Sequence, residues 1–391
     1  MKGLNSLLNY QLINSMRAKS VKGKTIQDIE NALLELQGNF KPTLAFVFLS
    51  VRQERDAVVQ LLNRFSISVF GATTNGEFID EDYEQGTIAI LLLDVNPAYF
   101  FIQFAELNGN NDRATTSSMA KEAIATFDDP AFVIMASSLE TDVEEVLGGF
   151  VDVLGKEANI VGGMAGDDHT FKEQFVFNSQ ESSSRGIVSL VFNQQKISVK
   201  GRATHGWKAV GTEKVITRSE GNRVYTIEGS PALDVCLRYS GLSADDPLLL
   251  KEFVTNFPMQ LQRDKGTPLM RPQYHIFWED HSLLTSGKLP EGSRVKFSLP
   301  PDFDVIEKVV EENKRMKEEE SLDADALIIY NCGGRLMSLG PLLSQEIKGM
   351  QEVWKVPMAG MFSNAEIGRT PNGDLEMHNL TTCWVVLKEK A

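Results

Sequence analysis

Cysteine is scarce. Cys236, Cys332 and Cys383 are the only three in 391 residues, they lie far apart, and no Cys-x-x-Cys pair occurs. That excludes a disulfide framework and a structural zinc site, and reduced thiols fit a cytoplasmic protein. Histidine is also sparse. His169, His205, His275, His281 and His378 show no His-x-x-x-His spacing, so the zinc-hydrolase helix is absent. Basic residues are outnumbered: 39 Lys and Arg against 53 Asp and Glu give a net charge of −14. Nucleic acid and anionic membranes need basic patches, so neither is an expected partner. No apolar run approaches the roughly 18 residues of a membrane-spanning helix. The stretch Met1 to Tyr10 lacks the apolar core and cleavage site of a secretion signal.

What remains is an ordinary globular composition, 42% hydrophobic, in a chain long enough for two or three domains. Its punctuation repeats. After a polar leader, 25–36 has the apolar spacing of an amphipathic helix. Residues 44–49 then read as a strand buried on both faces, 54–65 as a helix, and 67–70 as a short strand. That strand enters Gly71-Ala72-Thr73-Thr74-Asn75-Gly76-Glu77-Phe78. Residues 87–95 and 99–107 look like paired strands. The pattern restarts with helix 114–127, strand 131–136, helix 142–154 and strand 159–161. It then meets a second glycine turn, Gly162-Gly163-Met164-Ala165-Gly166-Asp167-Asp168. A third round runs from helix 304–320 through strand 326–330, Asn331-Cys332-Gly333-Gly334-Arg335 and helix 342–353. It ends in Gly360-Met361-Phe362-Ser363-Asn364-Ala365-Glu366-Ile367. Between the second and third rounds lie short strands and turns, with Ser230 and Pro231 expected to start a helix over 232–239. Pro371-Asn372-Gly373 reads as a hairpin turn. The predicted class is α/β: two related halves, 1–223 and 224–391, with repeated strand–helix–strand–Gly-turn units and mixed β-sheets.

Ligands of α/β sheets bind where loops leave the carboxyl ends of strands, and each glycine turn leaves such an end. Glycines let a ligand approach the backbone, and free N–H groups hold an oxyanion. A single Asn-Gly-Glu would be an unremarked tight turn with a solvated Glu; the matched second copy makes Glu77 and Glu366 candidate anchors for an ammonium or hydroxyl group. Arg335 has the fork that grips a carboxylate. With Glu366 it would hold both charges of an amino acid. Asp167, Asp168 and His169 offer acid, base or metal-ligand groups. His205 and His378 are the histidines able to serve as a single haem ligand. Cys332 would need a base to act as nucleophile, and no histidine is close in sequence.

These residues together resemble the FIST sensory proteins, with an N-terminal and a C-terminal FIST domain. The resemblance rests on the segments at 71–77, 161–168, 331–335 and 360–367. It rests further on Glu228-Gly229-Ser230-Pro231-Ala232-Leu233 and on His378-Asn379-Leu380-Thr381. It runs from about Leu44 to the end, with Ala365 standing where the family more often has Gly. The resemblance implies a bacterial sensor of small ligands, with amino acids suggested, found alone or joined to kinase, methyl-accepting or cyclic-dinucleotide output modules. Some relatives bind haem and sense nitric oxide. With no room here for an output module, a separate signalling protein such as a histidine kinase is the expected partner. The sequence therefore predicts a cytoplasmic, non-enzymatic sensor with no cofactor. Its ligand, an amino acid or similar metabolite, would sit between the halves against Thr74, Asn75, Glu77, Asp167, Arg335, Ser363, Asn364 and Glu366. The alternatives are haem-based nitric oxide sensing and an enzyme acting on a small amide or acyl substrate through Cys332 or Glu366.

Overall fold

A computed structural model describes residues 16–36, 38–137, 141–320 and 322–390; most of the expected polar leader lies outside the described residues. Three βαβ units build the body. The first pairs the strand Leu44–Ser50 in parallel with Ser68–Thr74, across the helix Arg55–Arg64. The second pairs Pro130–Ala136 with Ile160–Met164 across Val143–Leu154. The third pairs Ala326–Cys332 with Met358–Ser363 across Gly333–Leu339 and Leu343–Trp354. Parallel pairing requires such a crossover, and strands covered on both sides read as unbroken apolar runs.

Alternation along each strand splits its side chains between two cores. Phe46 and Phe48 of the first unit, Val133 and Met135 of the second, and Ile328 and Tyr330 of the third share one central cluster. Ala45 and Val47, Phe132 and Ile134, and Leu327 and Ile329 face outward instead, each pair under its own helices. Those helices bury apolar stripes: Val58, Leu61 and Leu62 in the first unit, Val146, Leu147 and Phe150 in the second, and Leu343, Ile347 and Met350 in the third. The body is thus three sheets closed around one core, each backed by helices.

Each sheet has six strands in the same order, and the last two come from another unit. The first unit's sheet ends in Val176–Asn178 and Ser182–Ser183, which follow the second unit's turn. The second unit's sheet ends in the hairpin Glu366–Arg369 and Leu375–His378 of the third. The third unit's sheet ends in Glu77–Ile79 and Asp82–Glu84 of the first. The exchange is cyclic, so no unit completes its sheet alone.

The predicted α/β class holds, as do the predicted helices within two residues at their ends. Thr25 closes a capping box with Asp28 at the first described helix, and Pro371 to Gly373 joins the two strands of a hairpin. Three details differ. The apolar runs at 87–95 and 99–107 do not pair: Ile88–Asp94 joins the first sheet and Phe100–Glu106 the second, because the chain crosses between sheets at Pro97. Gly71 to Thr74 and Gly360 to Ser363 are strand, so the turns proper are shorter than the repeated motif. Ser230 makes no cap; Pro231 is the residue before Ala232–Ser240.

A fourth element is inserted between Thr204 and the helix Phe303–Glu319. It carries the strands Ala209–Glu220, Arg223–Ile227, Met259–Leu261, Leu269–Arg271, Gln273–Phe277, Ser282–Thr285 and Arg294–Ser298 with two helices, around its own core of Ile216, Leu233, Phe253 and Phe297. Val224, the expected boundary, lies inside one of its strands. The chain passes into this insert through Gly206, which has φ +84°, and a Cβ there would lie 2.6 Å from the Val305 carbonyl. Only glycine meets both demands.

Candidate functional site

The three turns meet at the carboxyl ends of the parallel strands. Register makes Glu77, Asp167 and Glu366 equivalent, each three residues past the strand position shared by Thr74, Met164 and Ser363. All three carboxyls are buried. The turn backbones bond in a ring: Asn75 N–H donates to Phe362 O at 2.8 Å, Asn364 N–H to Met164 O at 3.2 Å, and Gly166 N–H to Thr73 O at 2.8 Å.

Each carboxyl is held from within. Glu77 accepts from the Thr74 hydroxyl, and from Thr87 N–H at 3.0 Å and Thr87 Oγ1 at 2.9 Å. Glu366 accepts from Ser363 Oγ at 2.7 Å and from Thr381 N–H at 3.4 Å. Asp167 gathers Thr170 Oγ1 and the N–H groups of Phe171, Lys172 and Glu173, which shapes the loop after the second turn. Burial raises the Glu77 carboxyl to about 7 despite its hydroxyl partners, and raises Glu366 well above the usual carboxylate range.

Asn75 ties the turns together. Its Oδ1 accepts from Asp167 N–H at 3.1 Å and His169 N–H at 2.9 Å, and its Nδ2 donates to Asn364 Oδ1 at 2.8 Å. Asn75→Ala leaves two N–H groups and one amide oxygen without partners, so it is expected to cost about 2–3 kcal/mol. Urea denaturation reads this directly, and a variant as stable as the parent would show that the three turns are held by backbone bonds alone.

Arg335 is wholly buried and points inward. Its guanidinium pairs with Glu346, donates to His205 O at 2.7 Å and Leu380 O at 3.2 Å, and lies over the Trp207 ring. It grips a carboxylate, and that carboxylate is Glu346. The expected Arg335–Glu366 pair of ligand anchors is therefore not brought to one open surface.

A cavity of about 710 Å³ lies between the insert and the turns of the second and third units. Of the residues expected at the site, Ser363 and Asn364 line it, and Thr74, Asn75, Glu77, Asp167, Arg335 and Glu366 do not. Cys332, Gly333 and Gly334 also face it. The Cys332 thiol is held strongly protonated by burial and by the adjacent Glu366 carboxyl, the opposite of an activated nucleophile. Four polar atoms lining the cavity have no hydrogen-bond partner among the described residues: His169 Nε2, Gln174 Nε2 and Asn364 Nδ2 on the body and Ser286 Oγ on the insert. Asn364 is oriented, because its Oδ1 is already taken by Asn75. At the rim, Lys288 of the insert pairs with Asp142 at 2.7 Å and Glu144 at 3.1 Å of the body. Gln174, Ser286 and Lys288 carry no periodicity or motif that would have singled them out in sequence.

The two haem candidates have different surroundings. His378 Nε2 is 3.1 Å from Gly368 O and its ring is buried, lowering its pKa to about 4. His205 Nδ1 accepts from Trp207 N–H at 2.9 Å, and the residue is among those lining a second cavity of about 580 Å³. Three acids, Asp304, Glu307 and Glu311, and two lysines, Lys208 and Lys308, line that cavity too, so its lining is acidic on balance. Among the described residues no group of three His, Cys, Asp or Glu side chains could hold a metal ion. No described helix is long and apolar enough to cross a membrane.

Comparison with known families agrees with the repeated turns. The FIST N domain matches residues 43–230 and the FIST C domain matches residues 232–369. The chain belongs to the FIST family. FIST domains are associated with sensory signal transduction. The two FIST matches meet at Pro231, inside the insert, so the second of them begins on the helix Ala232–Ser240 rather than on the body. An uncharacterized protein of Methanocaldococcus jannaschii is 22% identical to this FIST protein over 329 residues. That similarity covers 77% of this chain and 62% of the relative, so the chain spans under two-thirds of that protein's length.

Proposed function

We propose that this FIST protein is a sensor that binds a small metabolite, an amino acid or a close analogue, in the cavity between insert and body. The observation carrying this reading is the set of unpartnered polar atoms along both walls of the cavity. Gln174 is 3% exposed, yet its amide nitrogen donates to nothing among the described residues. A buried polar group left unsatisfied costs about 1–3 kcal/mol, and a fold that places four along one cavity is arranged for a bound partner. The cavity volume lies within the range of small-molecule sites, and Met164, Met337 and Leu380 supply apolar surface. Ligand polar groups would meet Gln174, Asn364 and Ser286, and an ammonium would meet Asp142 and Glu144 at the rim. Because both walls contribute, occupancy biases the position of the insert relative to the body, and a separate signalling protein, such as a histidine kinase, reads that position.

The test is a thermal-shift screen of parent protein and Gln174→Leu against the free amino acids, with an absorbance scan of the same samples. A ligand at a hundred times its Kd should stabilise the parent by about 2.7 kcal/mol and the variant far less. Equal stabilisation of both proteins would place the ligand elsewhere. A Soret band in the purified protein would move haem sensing to first place.

A further inference from the structure

A second buried arginine stands behind the cavity wall, and its situation is the reverse of Arg335's. Arg271 ends the strand Leu269–Arg271 of the insert and is 2% exposed. Its Nη1 donates to its neighbour's carbonyl, Met270 O, at 3.0 Å. Across the interface it reaches Met377 O and Asn379 Oδ1 of the body only at 3.4 Å. Its Nε has no partner, and it forms no ion pair among the described residues. The two acids that act on it electrostatically, Glu144 and Glu376, are already held by Lys288 and Arg263. Burial without a counter-ion lowers even this guanidinium to about 10. A bare buried cation costs a fold stability, so its retention calls for an explanation outside the apo protein.

The surroundings supply one. Pro272, Gly287, Met377 and Asn379 all line the cavity, and all four adjoin Arg271 in sequence or in space. Gly287 has an ordinary backbone conformation, yet a Cβ there would lie 2.5 Å from Arg271 Nε and 2.8 Å from Met377 Cε. Arg271 itself does not line the cavity; at Gly287, which does, the wall in front of its Nε carries no side chain. At the rim, by contrast, two carboxylates already face one ammonium. Depth and charge together set an orientation.

We propose that Arg271 is the anchor for an anionic group, a carboxylate in the simplest case, of the ligand bound in this cavity. The ligand enters anion first over Gly287, with Gln174 and Asn364 amides as neutral donors, and any ammonium it carries stays at the Asp142–Glu144 rim. This rests on the cavity reading above and specifies it: neutral and purely cationic metabolites are excluded.

The test uses the full chain, two series of probes and two variants. The probes are the free L-amino acids and the same compounds as primary amides, titrated calorimetrically. In the parent, at least one acid should bind about thirty-fold or more tightly than its amide, the range expected of a charge-assisted pair. Arg271→Met should abolish that discrimination, and Gly287→Ala should weaken the acid by a similar factor. Apo Arg271→Met should melt at or above the parent temperature, since it removes an unpaired buried charge. Acid and amide binding alike would overturn the anchor and leave the cavity reading standing. Binding of neither series would overturn both. A fall of more than about 5 °C in the apo melting temperature of Arg271→Met would show that the arginine is structural.

Discussion

Glu346→Ala should cost about 3–5 kcal/mol and leave little folded protein at 37 °C. The carboxylate is the centre of a closed network: it accepts from Asn331 Nδ2 at 2.8 Å, Thr382 Oγ1 at 2.7 Å and the Arg335 guanidinium. Asn331 and Thr382 belong to paired strands of the third sheet, and Arg335 to the helix leaving it. Removing the acid leaves a wholly buried cation with only two carbonyls, and breaking one side of a buried pair carries a penalty of that size. Replacing both partners with apolar residues of similar length, Arg335→Met with Glu346→Leu, should recover more than half of the loss, because no charge is then stranded. Urea midpoints of the two single variants and the double variant decide it. A double variant as unstable as Glu346→Ala would mean that the loss comes from stranding Asn331 and Thr382, which both variants share, rather than from charge.

That network also shows what could be read from sequence. Arg335 at a strand end invites a ligand carboxylate, and the chemistry expected of it is the chemistry it performs. Its partner is 11 residues on. The helix Leu343–Trp354 puts Glu346 on the same face as Leu343, Ile347, Met350 and Trp354, and an acid inside an apolar stripe signals a buried cation nearby. The strands and helices were legible because buried parallel strands and amphipathic helices carry their periods locally. The cyclic exchange of hairpins was not, since Glu77–Ile79 and Glu366–Arg369 look alike in sequence yet pair with different sheets. The cavity was only partly legible. Ser363 and Asn364 lie in a repeated motif, whereas Gln174, Ser286, Lys288 and Arg271 become neighbours only when the insert folds back on the body. Arg271 sits between Met270 and Pro272 with nothing to distinguish it from a surface arginine.

The repeated glutamates lead to a pH dependence with an unusual sign. Glu77 has a folded value of about 7 against an ordinary 4.5. Below 4.5 the carboxyl is protonated in both states and the stabilisation is complete. Between 4.5 and 7 the unfolded chain releases a proton that the folded protein keeps, so stability falls as pH rises. The difference of 2.5 units, at 1.36 kcal/mol each, makes the loss about 3 kcal/mol. Glu366 is shifted in the same direction and adds to it. His205 and His378 oppose it: with folded values of about 3 and 4 they lose stability as pH falls below 6.5. The raw pH profile of the protein is therefore a compromise, and the glutamate must be isolated by difference. Glu77→Gln keeps the neutral form's shape, with its carbonyl on Thr87 and its NH₂ toward the Thr74 oxygen. Relative to the parent, the variant should gain up to about 3 kcal/mol between pH 5 and pH 8, read as diverging urea midpoints. Parallel curves would mean that Glu77 is ionised throughout, with its three hydroxyl and amide donors outweighing desolvation. Divergence would instead mark the first turn as a neutral, hydrogen-bonded joint of the fold, and would leave recognition of charge to the cavity on the other side of Asn75.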